Sequence, residues 1–137
     1  MSLKSISAII GDLAKAQPDW PAISHETMSI TRLELHQSTN RLARAYQGLG
    51  VQEGDFVTIA LPNSIEFYQA CIATWKLGAT PQPISAKLPR VEQIAIVSLA
   101  EPALLVGSGA DLALGVQTLP ANFMPDPALG SRHAWLS

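Results

Sequence analysis

The chain has 137 residues, a formal net charge of −2, 47% apolar residues and 15% charged ones. So sparse a charge, without a Lys/Arg cluster, argues against a nucleic-acid partner, and no apolar run approaches the roughly 18 residues needed to span a bilayer. A single Cys excludes an internal disulfide and points to a reducing compartment.

The length suits one domain with a core of its own. Its mean hydropathy of +0.19 is high for a free-standing body and implies that surface exposed here is covered by something else. The opening MSLKSISAIIGDLAKAQ has no sustained apolar region and carries Asp12 inside the pattern, so no signal peptide and a cytoplasmic location are expected. Ile6, Ile9, Ile10 and Leu13 recur at helical spacing and predict an amphipathic helix over 5–16. Ala22–Ser24 and Met28–Ile30 read as two short strands of a tight hairpin around His25–Thr27. Thr31 and Glu34 form a capping box that opens a helix running to about Leu49, where Gly50 closes it. Phe56–Leu61 is an apolar, β-branched run, the mark of a strand buried on both faces. Pro62 ends it. Asn63 and Glu66 have the spacing of a second capping box, opening a helix with Phe67, Ala70, Cys71, Thr74, Trp75 and Leu77 on its apolar stripe. Gly78 stops that helix. Thr80–Ile84 is a short strand whose Pro81 and Pro83 place it at an edge or make it irregular. Strand, helix and strand make a βαβ unit, the building block of a parallel sheet. Pro89 suits the first turn of a helix to about Ala100 with Val91, Ile94, Ala95, Val97 and Leu99. Ala103–Val106 is a further strand. Beyond Gly107 the pattern decays: Ala110–Leu114 has a weak helical signal, and Pro120, Pro125 and Pro127 forbid long elements.

No complete catalytic set is visible. His25, His36 and His133 lack metal-ligand spacing and read as surface or hydrogen-bonded residues. Cys71 falls on an apolar helix face and reads as packing. Gly107–Ser108–Gly109 is a lone G-x-G without a third Gly or a Lys, hence a turn. The turn at Pro62–Asn63–Ser64 has no glycines for close approach to a dinucleotide. An anion at the helix start near Ser64 would compete with the Glu66 cap. Arg41 and Arg44 read as a solvated helix face, and Trp20, Trp75 and Trp135 as packing residues, since no basic groove accompanies them.

Five collinear segments carry a resemblance. Met28–Leu35 (MSITRLEL) is similar to an "LTYxEL" pattern, Asn40–Ala45 (NRLARA) to "NRLARAL", and Leu49–Val57 (LGVQEGDFV) to "LGVxxGDxV". Ile59–Ser64 with Glu66 and Phe67 resembles "IxLPNSxEF", and Trp75–Ala79 through Pro83 and Ile84 resembles "LKAGAxxxPI". Together they cover about residues 15–107 and resemble the N-terminal part of the adenylate-forming, AMP-binding superfamily, of acyl-CoA synthetase type. The resemblance implies an α/β fold with a partly parallel sheet and flanking helices, an incomplete N-terminal subdomain. Residues 1–107 would form that subdomain and 108–137 an irregular linker toward the phosphate-binding loop. The family's Gly-rich loop ending in Pro-Lys-Gly, its adenine and ribose segments, its hinge and its catalytic Lys are absent, and the loop is expected shortly after residue 137. The chain is thus expected to be a truncated, clipped or frame-disrupted product.

The resemblance further implies an AMP-forming acid–thiol ligase, connected here with fatty acid metabolism. A carboxylic acid, ATP and CoA would give acyl-CoA, AMP and pyrophosphate through an acyl-adenylate. ATP, Mg²⁺ and CoA would serve the whole enzyme, none would bind this segment, and the segment alone would be inactive. No catalytic or metal residue is assigned. Ser85, Ala86 and Lys87 correspond to a segment near the acyl or CoA channel, and Lys87 is the candidate for a CoA phosphate. Fatty, aromatic and bile-type acids all remain open as substrates. The expected partners are the remainder of the synthetase and a second copy met through exposed apolar surface. Two alternatives stand beside this reading: an adenylation domain loading a carrier-protein thiol, and a non-catalytic interaction module.

Overall fold

The computed structural model describes residues 6–25, 27–107 and 115–125. Helix α1 (Ile6–Ala16) leads into a hairpin of β1 (Pro21–His25) and β2 (Met28–Thr31). Helix α2 (Arg32–Gly48) follows, then β3 (Phe56–Ala60), α3 (Ile65–Lys76), β4 (Thr80–Pro83), α4 (Arg90–Ala100), β5 (Leu104–Gly107) and β6 (Thr118–Leu119). The last four strands form one parallel sheet in the order β4-β3-β5-β6. The α/β fold with a parallel sheet and flanking helices is therefore as expected. Among the described residues no helix is long and apolar enough to cross a membrane.

Alternation along the strands builds two faces. Val57 and Ile59 of β3 and Leu104 and Val106 of β5 pack with Ala43 and Tyr46 of α2 and Ala70, Cys71 and Ala73 of α3. Leu105 points the other way, against Val97 of α4, with Ile84, Ile94 and Val116 around it. On that second face Thr58 donates from Oγ1 to Gln82 Oε1 at 2.6 Å, so a buried hydroxyl is satisfied across the β3–β4 pair.

The start of α2 is the predicted capping box: Glu34 N–H donates to Thr31 Oγ1 at 3.1 Å, and Thr31 N–H to Glu34 Oε1 at 3.0 Å. The start of α3 differs from expectation. Its cap is Ser64, whose Oγ accepts from Phe67 N–H at 3.2 Å and donates to Pro62 O at 2.9 Å. Asn63 lies one residue too early, which puts Glu66 second in the helix, short of the third position that reciprocal capping needs. The stripe of α3 is also displaced: Trp75 is 46% exposed, whereas Lys76 is buried at 6%. In α1, Ile9 and Leu13 stay exposed while Gly11 and Ala14 face inward. Small residues are needed there because a side chain at Gly11 would press on the His36 ring at 3.3 Å.

Strand β4 is the edge its prolines imply. Thr80 and Ile84 donate to β3, to Asp55 O at 2.8 Å and Ile59 O at 3.0 Å. The strand period of two therefore turns the nitrogens of Pro81 and Pro83 away from the sheet, where neither carries a hydrogen. Strand β6 was not expected; two residues give no periodicity to read.

Candidate functional site

Both crossovers start from β3's neighbourhood but run to opposite sides of it. Helix α3 carries the chain to β4 over one face, and α4 carries it back past β3 to β5 over the other. The order of strands thus reverses between β3 and β5, and ligands of such sheets gather beyond the carboxyl ends at that point. The crossing is tight. Gly107, the last residue of β5, pairs with Ala60 and has φ +115°; a Cβ there would lie 2.3 Å from Ala60 O. Glycine is required on both counts. Of the G-x-G, Ser108 and Gly109 lie outside the described residues, as do Ala110–Leu114, His133 and Trp135.

A groove of about 500 Å³ opens at this edge. Leu61 and Val106 from the strand ends, and Leu42 and Tyr46 from α2, form its apolar lining. Met28 and Ile30 of the hairpin and Phe123 and Met124 of the segment after β6 close its sides. Glu34, Ser38, Arg41, Glu66 and Gln69 supply its polar atoms, and Gln69 Nε2 donates to Ser38 Oγ at 3.0 Å. His25 and Arg41 belong to this groove; Arg41 and Arg44 are half-buried, not the solvated face expected of them. Among the described residues no group of three His, Cys, Asp or Glu side chains comes together to hold a metal ion.

Ser85 and Lys87 sit just beyond the end of β4, at the same edge but outside the groove. Lys87 N–H donates to Ser85 Oγ at 3.2 Å, and both side chains are exposed. Gln93 of α4 holds this loop by donating from Nε2 to Leu88 O at 2.8 Å and Ala86 O at 3.3 Å. The loop is therefore shaped from below while its cation faces solvent.

One polar cluster escaped the sequence reading. Lys76 Nζ donates to Asn40 Oδ1 at 2.6 Å and His36 O at 3.2 Å, and lies 3.4 Å from His36 Nδ1. All three residues are buried, and burial brings the Lys76 amine down to about 7. The donors and acceptors balance with a neutral amine: two N–H groups serve the two oxygens and the lone pair accepts from Nδ1–H. His36 Nε2 then accepts from Asn40 Nδ2 across 3.5 Å. The readable signal was the His36–Asn40 spacing of four on one helix face; nothing in a lysine near a helix end announced its burial. Cys71 is buried as expected, and burial pushes its thiol up to about 11, away from the reactive thiolate. Trp20 and Trp75 are not core residues: Trp20 is 55% exposed, with the Arg32 guanidinium 5.2 Å from its ring centre, and Trp75 is 46% exposed.

Residues 12–129 match the family described as AMP-binding enzyme. Malpibaldin synthetase of Mortierella alpina is 36% identical over 103 residues, covering 75% of this chain and 2% of that protein. Crotonobetaine/carnitine–CoA ligase of Escherichia coli is 40% identical over 76 residues, covering 56% of this chain and 15% of the ligase. The solved N-terminal subdomain of Klebsiella oxytoca NpsA, in complex with 3-hydroxybenzoyl-AMSN, superposes with a TM-score of 0.77 at 25% identity. That superposition covers 86% of this chain and 30% of the NpsA chain. The chain thus spans a small part of the length of the relatives it matches.

Proposed function

The chain belongs to the AMP-binding enzyme family, and from that premise we propose that it is the scaffold segment of an adenylate-forming ligase. In that reaction a carboxylic acid and ATP give an acyl-adenylate and pyrophosphate, and a thiol then takes the acyl group and releases AMP. What carries the reading is the family match over residues 12–129 on a body that superposes on an adenylate-analogue complex's subdomain. The described residues do not themselves fit the nucleotide. In the first turn of α3 the Ser64 hydroxyl already takes the Phe67 N–H, one of the donors that phosphates favour at a helix start. Among the described residues no group of three His, Cys, Asp or Glu side chains offers a seat for Mg²⁺. The segment's contribution is its sheet, which holds the carboxyl edge and the groove in place.

Two acceptors are supported by different observations. NpsA, which is also solved as an artificially fused adenylation–PCP di-domain NRPS, favours a peptide-synthetase type of parent, with a carrier-protein thiol as acceptor. The 40% identity to a CoA ligase favours CoA, and the exposed Lys87 at the carboxyl edge would meet an anionic group such as a CoA phosphate, with Ser85 shaping the loop. Exchange of labelled pyrophosphate into ATP tests the scaffold reading. The isolated 137-residue chain is expected to give none, and exchange above the enzyme-free control would overturn it. In the complete synthetase, Lys87→Ala is expected to raise the KM for CoA several-fold at constant kcat. An unchanged KM removes Lys87 from the CoA reading.

A further inference from the structure

The buried cluster of His36, Asn40 and Lys76 lies beneath α1. That helix meets α2 and α3 through Gly11 and Ala14, both buried, while its larger Ile9 and Leu13 are exposed, so little apolar area holds it down. Gly11 sits over His36 Cε1, the ring carbon between the two nitrogens, so closely that a Cβ there would come within 3.3 Å. A shift of that ring edge therefore shifts the seat of α1.

The hydrogen bonds of the cluster leave no place for one more proton. With a neutral amine every contact pairs a donor with an acceptor. A proton added to Lys76 makes an ammonium, so His36 Nδ1 must turn acceptor and its hydrogen moves to Nε2. A proton added to His36 makes an imidazolium, and Nε2 again carries hydrogen. Either way Nε2–H points at Asn40 Nδ2, 3.5 Å away, and donor faces donor. Turning the Asn40 amide over moves the conflict to Lys76 Nζ, which donates to Oδ1.

No neighbouring charge favours the extra proton. Among the described residues no carboxylate contacts the Lys76 amine. On α2 the row of His36 and Asn40 continues into Arg32, one turn before and stacked on Trp20, and Arg44, one turn beyond and half-buried, and both are cations. Helix α1 carries Asp12 and Lys15 on its exposed side. On α3 itself Glu66 and Tyr68 are exposed, and Cys71 belongs to the core with Tyr46. The one titratable residue of β1, His25, lines the groove, and β3 and β4 have none.

We propose that α1 is a latch worked by protonation: uptake of one proton by the His36–Asn40–Lys76 cluster displaces the His36 ring and frees α1 from α2 and α3, while the parallel sheet stays folded. Release opens the amine to water, which solvates an ammonium, so the released state binds the proton more tightly than the docked one. Docking therefore weakens as pH falls from the ordinary lysine range and levels off below about 7, the value to which burial brings the docked amine. The latch stands apart from the functional reading above, since none of the three residues lines the groove.

The test is amide exchange of the 137-residue chain over residues 10–14, corrected for the intrinsic rate at each pH. Protection there is expected to fall by up to about tenfold per pH unit from about pH 8.5 to about pH 7 and to stay level below, with β3 far more protected throughout. Asn40→Asp gives the ammonium a counter-charge and gives Nε2–H an acceptor, so α1 should stay docked across the range. Lys76→Met removes the amine and should likewise leave protection independent of pH. A native chain whose α1 protection does not change with pH, a pH dependence that survives either substitution, or α1 amides that exchange only together with those of β3 would each overturn the proposal.

Discussion

Two buried residues carry constraints out of proportion to their size. At Gly107 a methyl group has nowhere to go, because the carbonyl of Ala60 occupies its place and the backbone is left-handed. Gly107→Ala is expected to lower stability by about 3 kcal/mol, measured by urea unfolding, with the larger part lost from the β3–β5 junction. Lys76 makes stability depend on pH. Its amine falls from 10.5 in the unfolded chain to about 7 in the fold. Between these values the unfolded chain binds the extra proton, so stability rises with pH across the window and is flat below it. Cys71, held up at about 11, opposes this above pH 9, so pH 7 to 9 is the clean interval. Lys76→Met should flatten the slope there, and parallel slopes for the two proteins would show that the amine is not responsible. Gly107 was visible in the sequence only as a turn glycine, because its demand comes from a neighbouring strand. Lys76 was invisible for a related reason: its burial depends on a polar pair on another helix, forty residues away in His36.

Local patterning was the most legible layer. Each long helix and the buried strand β3 follow from periodicity and end signals, since these depend on neighbours within four residues. The errors lie where two similar signals compete. Asn63 and Ser64 are both good caps, and the pairing of Asn63 with Glu66 favoured the former; the backbone instead gives the role to Ser64, extended at φ −162°. Ser64→Ala is therefore expected to cost about 1 kcal/mol in thermal or urea unfolding, and Asn63→Ala close to nothing. Equal losses would restore the earlier assignment. The stripe on α4 shows the converse problem. Val91, Ala95 and Leu99 have the spacing of core residues, yet a helix lying on a sheet covers only one of its sides. Apolar spacing reports that a face is to be covered without naming the cover.

At the level of the whole molecule, the parallel sheet is one cooperative body and the hairpin is a lesser attachment. Strands β3 and β5 are buried on both faces, whereas β1 and β2 are largely exposed. Amide exchange should be slowest in Val57–Ile59 and Leu104–Val106 and orders of magnitude faster in β1 and β2. Uniform protection would mean that the hairpin shares the core's stability. The groove was beyond sequence reading, because its walls come from the hairpin, α2, α3 and the segment after β6, whose neighbourhood exists only once the sheet has formed. The outward nitrogens of Pro81 and Pro83 carry a last consequence. A parallel sheet ending in an ordinary strand would offer another chain a ladder to climb, and stacking of such rims is how fibrils grow. Here two rungs are missing, so growth from the β4 side is blocked. Restoring them with Pro81→Val and Pro83→Val should shorten the lag before thioflavin-positive aggregates form.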